Sequence, residues 1–139
     1  MAATDKTPGH IAQSDLFQNK AGMATAVKIA SRIILQWEAS PEQFERILDV
    51  PHNTRHSIVE GEEGELQLTP DQLHRVAIII DMHASLRSLF VNPENVKGFM
   101  TMPNDNEPFA GRVPLDLIAG GDLSELIRVR EHLAGLAID

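Results

Sequence analysis

Asn53, Thr54, Arg55 and His56 are four consecutive side chains, each able to hydrogen-bond a base edge or a phosphate. They open the second of two short helices, over 40–48 and 53–60, that a tight turn joins with helix-turn-helix dimensions. In that motif the N-terminal side chains of the second helix meet base edges in the major groove. The surrounding charge is not that of a strong DNA reader. Glu42, Glu45, Asp49 and Glu60 stand against Arg46 and Arg55, whereas DNA affinity comes chiefly from lysine and arginine on phosphates. His52, His56 and Glu60 follow one another at four-residue steps, a spacing that can hold a metal on one helix face. His52, however, falls at the turn before the expected helix, so no metal site is expected. His74 and His83, nine apart, meet no acid and read as packing or surface histidines.

A second cluster lies toward the C-terminus. The stretch MPNDNEPFAGRV, residues 102–113, is the longest irregular segment of the folded part, and ordered loops of such length are more often functional than short connections are. Phe109 is an apolar side chain in this polar loop, the pattern of an interface anchor. No glycine-rich phosphate loop, nucleophile elbow or paired-carboxylate motif occurs. The sequence has no cysteine, which excludes a disulfide framework, a thiolate metal site and a cysteine nucleophile. The expectation is a binding protein, not an enzyme, without a cofactor.

These clusters need helices to position them. A helix over about 21–38 is marked by Met23, Val27, Ala30, Ile33, Ile34 and Trp37 at helical spacing. Ser40, Pro41 and Gln43 form a capping box for the next, with Phe44, Ile47 and Leu48 inward and Asp49 as its stop. In the third helix Ile58 and Val59 face inward and Gly61 ends it. The loop GEEGE, 61–65, reads as solvated charge. Thr69, Pro70 and Gln72 then open a long central helix to Phe90. Leu73, Val76, Ile80 and Ala84 make one of its stripes, and Ile78, Met82, Ser85 or Leu86, and Leu89 a second. A helix apolar on more than one side is buried among neighbours, so it is expected to take a helical unit on either side, and a second copy of the chain. A short helix follows Asn92-Pro93-Glu94, lined by Val96, Phe99 and Met100. Pro114 opens a two-turn helix closed by Gly120-Gly121. Asp122, with Glu125 three residues on, caps the last, whose stripe is Leu123, Leu126, Ile127, Leu133 and Leu136. No strand-like alternation appears, and the class is all-α. The division is a flexible tail over 1–20, a helix-turn-helix unit over 21–66, and the central helix with a C-terminal unit over 67–139.

Hydrophobic residues make up 42% of the 139, enough for a core, and aromatics only 4%, so that core is aliphatic. A net charge of −8 argues against broad, non-specific nucleic-acid binding and suits a basic protein partner. No apolar run reaches the ~18 residues of a membrane span, and no signal peptide is seen. A soluble cytoplasmic protein is expected.

From Trp37 onward the chain resembles the Xre/MbcA/ParS family of bacterial antitoxins. The first part reads W-x-x-S-P-E-Q-F-x-x-I-L, from Trp37 to Leu48, followed by L-T-P-x-x-x-x-R-x-x-x-I, from Leu68 to Ile79. The more specific signature is Met102-Pro103-Asn104, then Pro108-Phe109-Ala110-Gly111-Arg112-Val113-Pro114, then Gly121, then Val129-Arg130-Glu131-His132-Leu133. Asp49 stands where the family usually has glycine, and Ile58 or Val59 where it has an aromatic. Phe99 fills the role of a tryptophan before Pro103.

The resemblance implies a partner, a RES-domain toxin that destroys NAD, with the C-terminal region of the antitoxin covering the toxin's NAD pocket. It also implies a homodimer, and repression of the toxin–antitoxin operon through the helix-turn-helix, with operator contacts from Asn53, Thr54, Arg55 and His56. Toxin contacts are then expected from Asn104, Phe109 and Arg112 of the loop and from Arg128 and Arg130 of the last helix. The alternative is a stand-alone helix-turn-helix transcription regulator with no toxin partner.

Overall fold

The computed structural model describes residues 20–61 and 66–138. The expected tail, save Lys20, and most of the GEEGE loop lie outside the described residues. Every regular element among the described residues is a helix. Helix α1 (Lys20–Gln36) buries Ala26, Val27, Ala30, Ile33 and Ile34. It stops because Glu38 takes a left-handed conformation, φ 63°, and Trp37 closes the core behind it, 1% exposed. Helix α2 (Pro41–Leu48) opens on the expected capping box. Ser40 Oγ accepts from the Gln43 N–H at 3.1 Å and Gln43 Oε1 from the Ser40 N–H at 2.8 Å. It ends at Asp49, φ 56°, a left-handed position that aspartate tolerates at more cost than glycine. Helix α3 (His52–Glu60) begins one residue earlier than expected and ends at Gly61, φ 66°.

The central helix α4 (Pro70–Leu89) repeats the capping box with Thr69 and Gln72. At 20 residues it is about 30 Å long. Five consecutive side chains, Arg75 to Ile79, are buried, and so are Asp81, Met82, Ser85 and Leu86. Five in a row exceed one helical turn, so the helix is enclosed on every side there. It packs most extensively on α7 (Leu123–Ile138), then on α1. Helix α5 (Pro93–Thr101) is capped by Asn92, whose Oδ1 accepts from the Glu94 N–H at 3.0 Å. Helix α6 (Pro114–Ile118) follows the long loop. Asp122 Oδ1 accepts from the Ser124 N–H at 3.0 Å at the start of α7, while Glu125 pairs with Arg128 at 3.2 Å. One contiguous cluster of buried side chains runs from Ala26 through Leu133.

Some apolar positions depart from expectation. Val59 is exposed, since it adjoins Ile58 and adjacent residues on a helix point about 100° apart. Ala84 is exposed and Leu73 and Ile80 are half-buried, while Val76 of the same stripe is fully buried, so the least covered side of α4 is the part about Ile80 and Ala84. Leu136 is exposed near the end of α7, and Val129 and Ala134 are buried in its place.

The last turn of α2 is where the chain interlocks. A helix leaves its final carbonyls without intrahelical partners. Those of Arg46 and Ile47 accept from Arg75 Nη1 at 3.4 and 3.3 Å, and that of Asp49 accepts from Gln72 Nε2 at 2.7 Å. Arg75 Nε also donates to Asp71 Oδ2 at 2.9 Å. From the other side, Gln43 Nε2 donates to Asp116 Oδ1 of α6 at 3.2 Å. Gly121, φ 86°, comes so close that a Cβ there would stand 3.4 Å from the Arg46 carbonyl oxygen. Arg75→Ala strips one buried and one partly buried carbonyl of their donor and is expected to cost about 2 kcal/mol in urea unfolding. Asp71, with 43% of its side chain exposed, is the outer half of the ion pair, and Asp71→Asn is expected to cost less than about 1 kcal/mol.

His83 supplies a pH dependence. Burial, and secondarily the charge of Arg87, hold its imidazole below the usual 6.5, and its Nδ1 has no hydrogen-bond partner. The folded state therefore resists a proton that the unfolded chain accepts below about 6.5. Stability should be unaffected by this group above that pH and should fall as pH drops from there toward the lower folded value. A His83→Gln variant should lose less stability than the parent between pH 7 and 5 in matched thermal melts.

Candidate partner-binding surface

The loop over 102–113 is a closed structure, not a slack connection. At its neck the Asn104 N–H donates to the Arg112 carbonyl at 3.1 Å, and the Gly111 N–H returns to the Asn104 carbonyl at 2.7 Å. Inside the neck Asn104 Oδ1 accepts from the Asn106 N–H at 2.9 Å. The Phe109 N–H reaches the Asn106 carbonyl at 2.8 Å, and the Arg112 N–H the Phe109 carbonyl at 2.9 Å. Ala110 and Gly111 take positive φ to complete the reversal, a conformation that glycine adopts freely. Compact surface loops with close ends are of this kind.

Phe109 is what the loop closes over. Its ring is fully buried, edge-on to Phe99 at 5.9 Å and to His132 at 5.6 Å between centroids. The expectation of an interface anchor at Phe109 is thus corrected. The ring plugs the space between α5 and α7, because an aromatic gains more from burial beside two other rings than from water. The side chain that stays outside is Met102, 63% exposed, two residues before the neck. Pro103 beside it is exposed as well. Sequence reasoning passed over Met102; the available signal was a large apolar residue placed after a helix end and before Pro-Asn.

The other expected contact residues divide. Asn104 is half-buried and spent on the neck, while Arg112 is exposed. Arg128, 55% exposed, pairs with Glu125 at 3.2 Å and with Glu107 of the loop at 3.7 Å. That second pair sets the loop tip against the first turns of α7. Arg130 is turned inward, its side chain 14% exposed, 2.9 Å from Glu131 and 3.9 Å from the buried Asp81 of α4. The structure thus groups Met102, Arg112, Glu107 and Arg128 about one loop, and gives Arg130 to the α4–α7 contact.

At the pair of short helices α2 and α3, Asn53 and His56 are exposed and Thr54 is half-buried. Arg55 lies across the pair, with Nε donating to Glu45 Oε2 at 2.7 Å and Nη2 3.0 Å from His52 Nδ1. The Arg55 hydrogen bond, helped by His52, holds the Glu45 carboxyl below its usual 4.5 against the opposing effect of burial. The carboxylate stays ionised and neutralises the cation that a phosphate would need. Among the described residues no group of three or more His, Asp or Glu side chains is arranged to hold a metal. No described helix is long and apolar enough to cross a membrane.

Because Phe109 fills the core under the loop, Phe109→Ala is expected to lower stability by about 3–5 kcal/mol in denaturant unfolding. Phe109→Leu, which keeps most of the volume, should cost markedly less.

Comparison with curated proteins and comparison with solved structures give no match. Residues 85–137, from the last turns of α4 to the end of the chain's final helix, match the family model of the antitoxin Xre/MbcA/ParS C-terminal toxin-binding domain. That match covers the loop, Phe109 and all of α5 and α6, and by it the C-terminal part of the chain is similar to the toxin-binding domain of a toxin–antitoxin antitoxin.

Proposed function

We propose that the chain is the antitoxin of a toxin–antitoxin pair, a cytoplasmic binding protein that holds an NAD-degrading RES-domain toxin inactive by covering its active site. The observation that carries this reading is the coincidence of the matched segment, 85–137, with the pinned loop that presents Met102 and Arg112 outward. The resemblance in the signature from Met102 to Leu133 supplies the RES class of the partner. A loop already closed by its own hydrogen bonds loses little freedom on binding, which leaves more of its contact energy as affinity. An exposed methionine and an exposed arginine on one loop suit an interface centre, where apolar side chains, methionine and arginine are enriched.

The same reading assigns operator binding to α3, through Asn53, Thr54 and His56, with Arg55 leaving Glu45 for a phosphate. Because that exchange gives up a 2.7 Å ion pair, the operator is bound weakly by each copy, and a homodimer supplies the second half-site. Ile80 and Ala84, on the least covered side of α4, are the surface we assign to that second copy.

The test is co-expression with the product of the neighbouring gene, which this reading expects to be of RES type, following growth and cellular NAD. Both should collapse with the neighbour alone and recover with this chain; no recovery and no co-purification would overturn the toxin assignment. Met102→Asp should weaken capture about 30-fold, the equivalent of ~2 kcal/mol at an interface centre, with the melting temperature unchanged. Replacing Thr54 and Arg55 by alanine should remove operator binding and leave capture intact, as read by parallel toxin and promoter titrations.

A further inference from the structure

The end of α1, the last turns of α4 and the first turns of α5 surround an open pocket of about 370 Å³. Its apolar wall is Trp37, Pro93 and Val96, and its polar wall is Gln36, His83, Arg87, Glu94 and Lys97. Trp37 and Val96 are 1% and 4% exposed, whereas Gln36, Arg87, Pro93 and Glu94 are exposed. The apolar pair therefore forms the floor and the charges the rim. Two ring nitrogens of this wall, Trp37 Nε1 and His83 Nδ1, are buried without a hydrogen-bond partner. A buried donor left unpaired costs about 1–3 kcal/mol, and most such groups in folded proteins are satisfied. His83 and Arg87 stand one turn apart on α4, close enough for the guanidinium charge to lower the imidazole pKa.

We infer that this pocket binds a small organic monocarboxylate, with Arg87 holding the carboxylate and the floor of Trp37 and Val96 taking the apolar body. The charges decide the class. Among the described residues Arg87 forms no ion pair, while Lys97 is held by Glu38 at 3.0 Å. An unpaired guanidinium takes a carboxylate through two parallel N–H···O bonds. In the wall two cations, Arg87 and Lys97, face one anion, Glu94, and Glu38 behind Lys97 reduces the surplus further. That balance suits one negative charge and works against a dianion such as phosphate. The volume is in the range of small-ligand sites, which combine an apolar wall with a few polar groups. A bound acid also brings acceptor oxygens to a wall whose two buried ring nitrogens have no partner. The inference does not depend on the toxin assignment.

The chain has one tryptophan, so a proton–nitrogen correlation spectrum of the full chain carries one indole N–H signal, that of Trp37. Sodium benzoate is titrated in at constant ionic strength to about 20 mM, enough to saturate a site of ~1 mM. Benzamide, which has the ring without the charge, and inorganic phosphate, which has the charge without the ring, are titrated in parallel. The expected result is a saturable movement of the indole signal with benzoate and little movement with the other two. Arg87→Gln, a change at an exposed position, should weaken benzoate about tenfold and leave the melting temperature unchanged. No saturable movement with benzoate, or equal benzoate affinity in Arg87→Gln, would overturn the inference. Equal binding of benzamide makes the pocket one that ignores charge, and tighter binding of phosphate makes it an inorganic-anion site. Either outcome overturns the monocarboxylate assignment.

Discussion

The fold depends on the enclosure of one helix. From Arg75 to Ile79 the central helix has no side facing water, and such a helix is stable only when neighbours cover it all round. Helices α1 and α7 supply the cover. The price of that arrangement is two charged groups drawn inside with the apolar ones, Arg75 and Asp81. Each is met by a group from another element. Arg75 finds the open carbonyls at the end of α2, and Asp81 faces Arg130 of α7. A buried ion pair of this kind adds little net stability against an apolar substitute, but removal of one partner is costly because the other charge stays buried. These contacts therefore fix which helix end meets which face.

The helix boundaries were legible because local chemistry sets them. Ser40-Pro41-Gln43 and Thr69-Pro70-Gln72 form their capping boxes as the sequence implies, and Gly61 ends its helix in the left-handed region. The all-α class and most core positions follow from periodicity for the same reason. What could not be read depends on contacts between distant segments. Phe109 lies in a polar loop in the sequence and is fully buried in the fold, because Phe99 and His132 come together beneath it only after α5 and α7 pack. Arg130 sits on an exposed-looking pattern and turns inward to Asp81, 49 positions earlier in the chain. Arg55 has no local signal for its pairing with Glu45, ten residues before it and on the other helix of its pair.

The corrected site is a more restrictive one. With Phe109 and Arg130 committed to the interior, the outward face of the loop is carried by Met102, Pro103, Arg112 and the Glu107–Arg128 pair. The ring inside and the methionine outside are joined by a neck of backbone hydrogen bonds, so packing beneath the loop sets the shape presented above it. At α3 the chemistry runs the other way. An ionised Glu45 beside Arg55, in a chain of net charge −8, is unfavourable for contact with phosphates, which is made chiefly by unpaired lysine and arginine.

On the proposed reading the toxin is held by the 102–112 loop and the first turns of α7, and not by α3. Hydrogen exchange on the purified complex, compared with the free chain, tests it most directly. The account predicts new protection confined to the amides of that loop and of the start of α7, with those of 53–56 unchanged. Protection centred on 53–56, with the loop exchanging as it does in the free chain, would contradict it.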